Sequence, residues 1–125
     1  RLKRETRMIS RWTNAFKNSF AAIRYGFLRE TALKEEMIAL FFSFPVAILI
    51  SDSLIQFIVL ISSIIFLITI EALNTAIEST CDKITLEQDN LIGVAKDYGS
   101  LAVFGALLMV ALIWLWSILH YLAII

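Results

Sequence analysis

The stretch "ITIEALNTAIESTCDKI", residues 68–84, joins an apolar run to a polar connection and decides how the chain folds. At about 100° of turn per residue, Glu71, Asn74, Glu78 and Asp82 fall at roughly 0, 300, 340 and 20° on a helix, one narrow face. An ionisable side chain at membrane depth costs about 3 kcal/mol. Three acids on one stripe at the end of a greasy helix therefore imply a cation or a catalytic task.

Outward from that stretch, apolar residues make up 59% of the 125 and the mean hydropathy is +0.80. One soluble domain of this length cannot hide so much apolar surface, so the class is integral membrane, a single domain over residues 1–125. Three apolar runs stand out: Met37–Ser51 with 15 residues, Ser53–Ile70 with 18, and Leu101–Ile125 with 25 and no Asp, Glu, Lys or Arg. A helical span needs about 20 residues, so the first run is short and borrows Ala32 and Leu33. Pro45 inside it predicts a kink, and the tight Ser51-Asp52-Ser53 link predicts an antiparallel hairpin. The first run starts at residue 37, too late for a cleaved leader.

Zero net charge hides an asymmetry. Residues 1–34 carry nine Lys/Arg against Glu5 and Glu30, a balance of +7, whereas residues 71–97 balance at −4. No Lys or Arg occurs at the Asp52 turn or the C-terminus. The positive-inside rule places the N-terminus and the 71–97 connection in the cytoplasm and the C-terminus outside. Trp12, Phe16, Phe20, Ile23 and Phe27 recur at helical spacing among basic residues, which predicts an amphipathic helix in the membrane interface.

The expected architecture is all-α: a surface helix over about 5–29, then spans over about 32–51, 53–70 and 96–122. The second span continues as a cytoplasmic helix to about 84, "TLEQDNL" breaks it, and "AKDYGS" begins the third.

Several chemistries are excluded. One cysteine, Cys81, and one histidine, His120, leave no His/Cys metal set, so any metal takes oxygen ligands, as Mg²⁺ does. Neither GxxxxGK[ST] nor GxGxxG occurs, and no Ser-His-Asp set is possible. What remains is a cluster of Glu30, Glu36, Glu71, Asn74, Glu78, Asp82, Glu87, Lys96 and Asp97. A solvated acidic helix end paired with the basic helix also accounts for Asp82 and Glu87, and an end-of-span charge pair for Lys96-Asp97. Glu71 fits that poorly, because "LITIEAL" embeds it among apolar residues, a setting that suits a general base. Cys81 reads as inert packing, His120, Trp114 and Trp116 as an outer interfacial belt, and Ala102/Ala106 as a small-residue pair permitting close helix contact.

"EALNTAIE…D" followed by "AKDYGSLAV" resembles the E-x-x-N-x-x-I-E-x-x-x-D and A-K-D-x-x-S-x-A-V signature of the prokaryotic diacylglycerol kinase family, small integral-membrane lipid kinases. The resemblance covers nearly the whole chain. It implies a trimeric helical bundle, a homotrimer of three-span subunits in the bacterial inner (cytoplasmic) membrane, C-terminus periplasmic, with sites between subunits at the cytoplasmic face. Its implied partners are MgATP as donor, a membrane lipid alcohol as acceptor and copies of itself, with no nucleic acid. Glu71 would take the hydroxyl proton, and Glu30 and Glu78 would hold Mg²⁺. Arg11, Ser19, Glu87, Lys96 and Asp97 would join Glu30 and Glu78 on the ATP side. Glu36 and Ser100 would line the lipid side with Glu71, while Asn74 and Asp82 would support the site. The surface helix departs from the family at Asn14 and Asn18, where proteobacterial members carry a lysine and a tyrosine; Ser19 matches.

The resemblance implies phosphorylation of 1,2-diacylglycerol to phosphatidic acid, with "RETALKEE" closer to that branch than to undecaprenol kinases. Undecaprenol as acceptor, with the same site, is the alternative. A third reading is a non-catalytic oligomeric membrane protein whose acids merely pair with the basic helix.

Overall fold

The first helix, α1 (Leu2–Arg29), carries its aromatic residues on one stripe and its cations around it. Trp12, Phe16 and Phe20 are 67%, 66% and 71% exposed, so that stripe has no protein partner, and Gly26 is the helix's one buried residue. The computed structural model describes residues 1–125 and contains four helices and no strand. The chain leaves α1 through the single extended residue Glu30, whose N–H donates to the Gly26 carbonyl at 2.9 Å and whose carbonyl accepts from Lys34 N–H at 3.0 Å. Gly26 lets the corner pack closely: a Cβ there would lie 3.0 Å from Leu33 Cδ1, which would have to give by a few tenths of an ångström.

Helix α2 (Thr31–Ile50) runs through Pro45 and ends at the Ser51–Ser53 turn. Helix α3 (Leu54–Ile84) is started by a reciprocal cap. Gln56 N–H donates to Ser53 Oγ at 3.1 Å, and Gln56 Oε1 accepts from Asp52 N–H at 2.8 Å, so two otherwise orphaned backbone donors are satisfied. At 1.5 Å per residue the 31 residues of α3 measure about 46 Å, well beyond a hydrocarbon core of about 30 Å. The helix is therefore longer than one crossing needs.

Helix α4 (Asn90–Tyr121) begins five residues ahead of the "AKDYGS" segment. The reason is Asp89, whose Oδ1 accepts from Leu91 N–H at 2.9 Å and Ile92 N–H at 3.0 Å. Only Thr85–Asp89 separates α3 from α4.

Helices α3 and α4 pack along most of their length. The buried or half-buried positions Leu60, Ile64, Leu67, Glu71, Asn74 and Cys81 of α3 follow a three-and-four spacing, as do Gly99, Val103, Ala106, Val110, Ile113 and Ser117 of α4. Such spacing holds one seam toward a partner helix. Ala47, Ile50, Leu60 and Ile61 form the core nearest the α2–α3 turn, with Leu40, Phe57, Ile113 and Trp114 against it. Trp114 turns inward rather than joining an interfacial belt: its Nε1–H lies 3.1 Å from Ser63 Oγ and 3.3 Å from the Leu60 carbonyl. Trp116 and His120 do sit at the far end, ring-stacked at 5.3 Å, and His120 Nε2 meets Asp52 Oδ2 at 2.9 Å. Ala106 is buried at the α3–α4 seam, while Ala102 is exposed.

Helices α3 and α4 are long and apolar enough to cross a membrane, and only 28% and 11% of their most apolar stretches are buried against protein. That much unpaired apolar surface marks a membrane protein rather than the core of a soluble one. Helix α2 falls short of the same measure, because Lys34, Glu35 and Glu36 occupy its first two turns.

Candidate active site

The seam of α3 changes chemistry at residue 71 without changing direction. Leu60, Ile64 and Leu67 bury carbon against the neighbouring helices; one and two steps later the same face presents Glu71 and Asn74. Glu71 is half-buried, Asn74 is buried, and Asn74 Nδ2 lies 3.5 Å from Glu78 Oε1, the outer limit of a hydrogen bond. Asp82, one turn further, takes a hydrogen bond from Lys96 Nζ on α4 at 2.7 Å, an ion pair in solvent.

Two further acids at the start of α2 lie near enough for charge to act between them and Glu71, without touching it. The charges of Glu78 and Glu30 both act on Glu71, and those of Glu71 and Glu35 act on Glu36. Glu30 gets there because it is the corner residue between α1 and α2, and Glu36 because it lies half-buried on α2, with Oε2 buried and unpartnered. Glu35 is the neighbour that sequence reading left out; its adjacency to Glu36 in "KEE" was the available signal.

One cation stands at the outer end of this face: Lys96 pairs with Asp82, and its charge also acts on Glu78. The ion pairs of the molecule are Arg1–Glu5 and Lys96–Asp82, so none joins the basic helix to Glu30, Glu36, Glu71 or Glu78. Like charges held together favour either a proton or a bound cation.

No three His, Cys, Asp or Glu side chains converge as a self-contained metal site. Mg²⁺ does not require one, since one or two carboxylates suffice when phosphate oxygens complete its shell.

The nucleotide-side residues expected from sequence divide into two groups. Glu87, Lys96 and Asp97 line one open cleft of about 460 Å³, together with Asp89 and Gly93, where the 85–89 connection meets α4. Lys96 thus faces both this cleft and Asp82. Arg11 and Ser19 are not gathered in: both are exposed on α1, Arg11 beside Met8, Trp12 and Ala15, and Ser19 Oγ donates to its own helix at Ala15 O. Ser100 is exposed on α4, next to the buried Gly99. Cys81 is buried and free, as expected of packing.

Comparison with known proteins follows the same residues. Residues 17–118 match the profile of the prokaryotic diacylglycerol kinase family. The chain is 35% identical over 101 residues to the diacylglycerol kinase of Haemophilus influenzae, covering 81% of this chain and 86% of that one. To the diacylglycerol kinase of Escherichia coli K12 it is 34% identical over 102 residues, covering 79% and 84%. To that of Pseudomonas aeruginosa it is 33% identical over 106 residues, covering 85% and 86%. With the signature acids on one helix face, at the end of a membrane-length helix, the chain belongs to the prokaryotic diacylglycerol kinase family, a family of lipid kinases.

Proposed function

We propose that this protein transfers the γ-phosphoryl group of ATP to the hydroxyl of 1,2-diacylglycerol, making phosphatidic acid at the cytoplasmic face of the bacterial inner membrane. The observation that carries the reading is Glu71. It is a half-buried carboxylate one residue past the apolar run, on one helix face with Asn74 and Glu78, and it makes no ion pair of its own. A base there meets a hydroxyl held at headgroup depth.

In this reading Glu71 accepts the hydroxyl proton as the hydroxyl oxygen bonds to the γ-phosphorus, and the bond from that phosphorus to the bridging oxygen of ADP breaks. Phosphoryl transfer depends on positioning and charge neutralisation rather than covalent help from the protein. Glu30 and Glu78 would hold Mg²⁺, which supplies that neutralisation on the phosphates. Lys96 and Asp97, with Glu87, bind and orient the nucleotide from the 85–97 cleft; Arg11 and Ser19, which stand away from that cleft within one chain, would meet the nucleotide only once copies assemble. Glu36 and Ser100 flank the lipid headgroup, and Asn74 and Asp82 hold Glu78 and Lys96 in place. Helix α2 is the first of three spans in a single domain, with the N-terminus cytoplasmic and the C-terminus periplasmic. Three copies complete the sites between them as a homotrimer.

The names of the relatives support diacylglycerol as acceptor. The test offers labelled ATP and Mg²⁺ to the protein in mixed micelles containing diacylglycerol or undecaprenol. Label in diacylglycerol, lost on chelation of the metal, is the expected result. Preferential labelling of undecaprenol would keep the site and change the acceptor, and label in neither lipid would end the kinase reading.

A further inference from the structure

Gly99 lies where α4 comes closest to the acidic end of α3. A Cβ built on it would collide with Asn74 Oδ1, stand 3.3 Å from Asn74 Cγ and lie 3.9 Å from Ile77 Cδ1. Its φ is not positive, so the glycine is there for space and not for backbone freedom. Asn74 is 8% exposed, and its Oδ1 is buried with no N–H or O–H donor. A methyl group on Gly99 would therefore have to displace the Asn74 carboxamide oxygen. With its oxygen against α4, the carboxamide presents Nδ2 to Glu78 Oε1 at 3.5 Å.

We infer that Gly99 is a positioning residue for the phosphoryl-transfer site. By leaving room for the Asn74 carboxamide it fixes which end of that amide faces Glu78, and so sets the direction of the Glu78 carboxylate. The inference rests on the kinase reading above, because it concerns what Glu78 is held ready to do. Nothing in the "AKDYGS" segment read alone assigns a task to this glycine; the neighbouring helix does.

The test uses the full chain in micelles as native protein, Gly99→Ala, Asn74→Ala and the double variant. Each is assayed for ATP and lipid kinetics and for its unfolding midpoint. A misplacement of about 1 Å can cost about 100-fold in rate. Gly99→Ala is therefore expected to lower kcat/KM for ATP about 100-fold with the lipid KM within about twofold. The double variant is expected to be no worse than Asn74→Ala alone, since the obstructed amide is gone. Activity of Gly99→Ala within about threefold of native would overturn the inference. So would losses that multiply in the double variant, or ATP and lipid KM values that rise together as helix loosening would make them. Should Gly99→Ala fail to fold, the double variant is expected to recover the fold, and an unfolded double variant would overturn the contact itself. If all four chains are silent, the kinase reading falls and takes this inference with it, a pattern distinct from loss in the variants alone.

Discussion

Replacing Trp114 by Phe separates two placements of the same residue. The indole nitrogen lies 3.1 Å from Ser63 Oγ and 3.3 Å from the Leu60 carbonyl, half-buried between α3 and α4. Hydrogen bonds between membrane helices average about 0.6 kcal/mol and reach about 1.7. The shared, rather long bond here belongs near the lower figure. Losing the second ring beside Leu60 and Ile61 opens a small cavity, worth about 1 kcal/mol more. No acceptor is stranded, because Ser63 Oγ keeps its own donation to the Leu60 carbonyl at 2.6 Å. The expected loss for Trp114→Phe is therefore about 2 kcal/mol in reversible unfolding by a denaturing detergent. A double-mutant cycle with Ser63→Ala should return a coupling of about 0.6 kcal/mol. A loss under about 0.5 kcal/mol, the range of ordinary surface substitutions, with no coupling, would place the indole in the interfacial belt and refute the packing described.

Three further outcomes follow from the same geometry. Asp89→Ala removes the acceptor of two backbone donors at the start of α4 and should cost about 1 kcal/mol, read by circular dichroism during unfolding. Leu60→Ala, at a fully enclosed position of the core, should cost about 2–5 kcal/mol in the same assay. Lys96→Met breaks a solvent-exposed pair with Asp82, so the unfolding midpoint should stay put while the KM for ATP rises at least about tenfold, as expected for a lost charge-assisted contact; a shifted midpoint with unchanged kinetics would make the lysine structural.

The long elements were legible because their causes are local. Apolar runs bounded by charge or by Ser-Asp-Ser locate α2, α3 and the body of α4, and the 3.6-residue turn alone puts Glu71, Asn74, Glu78 and Asp82 on one face. The start of α4 was misplaced because "TLEQDNL" looks like a breaker, yet its Asp followed by an apolar pair is itself a helix-start signal. Trp114 was misread for a different reason: composition near a span end does not say which face meets another helix. The approach of Glu30 and Glu36 to Glu71 joins residues about 40 positions apart, and no spacing rule reaches that far; only the resemblance anticipated it. Gly99 passed unnoticed because its partner, Asn74, belongs to another helix.

The central claim is that Glu71 takes the proton from the lipid hydroxyl. Its most direct test is steady-state phosphoryl transfer from ATP to diacylglycerol by the native chain and Glu71→Gln, a near-isosteric change that removes the base. The account predicts a fall in kcat of at least about 100-fold, the low end for loss of a general base, with both KM values and the unfolding midpoint unchanged. A Glu71→Gln protein that keeps more than a tenth of native kcat would contradict it.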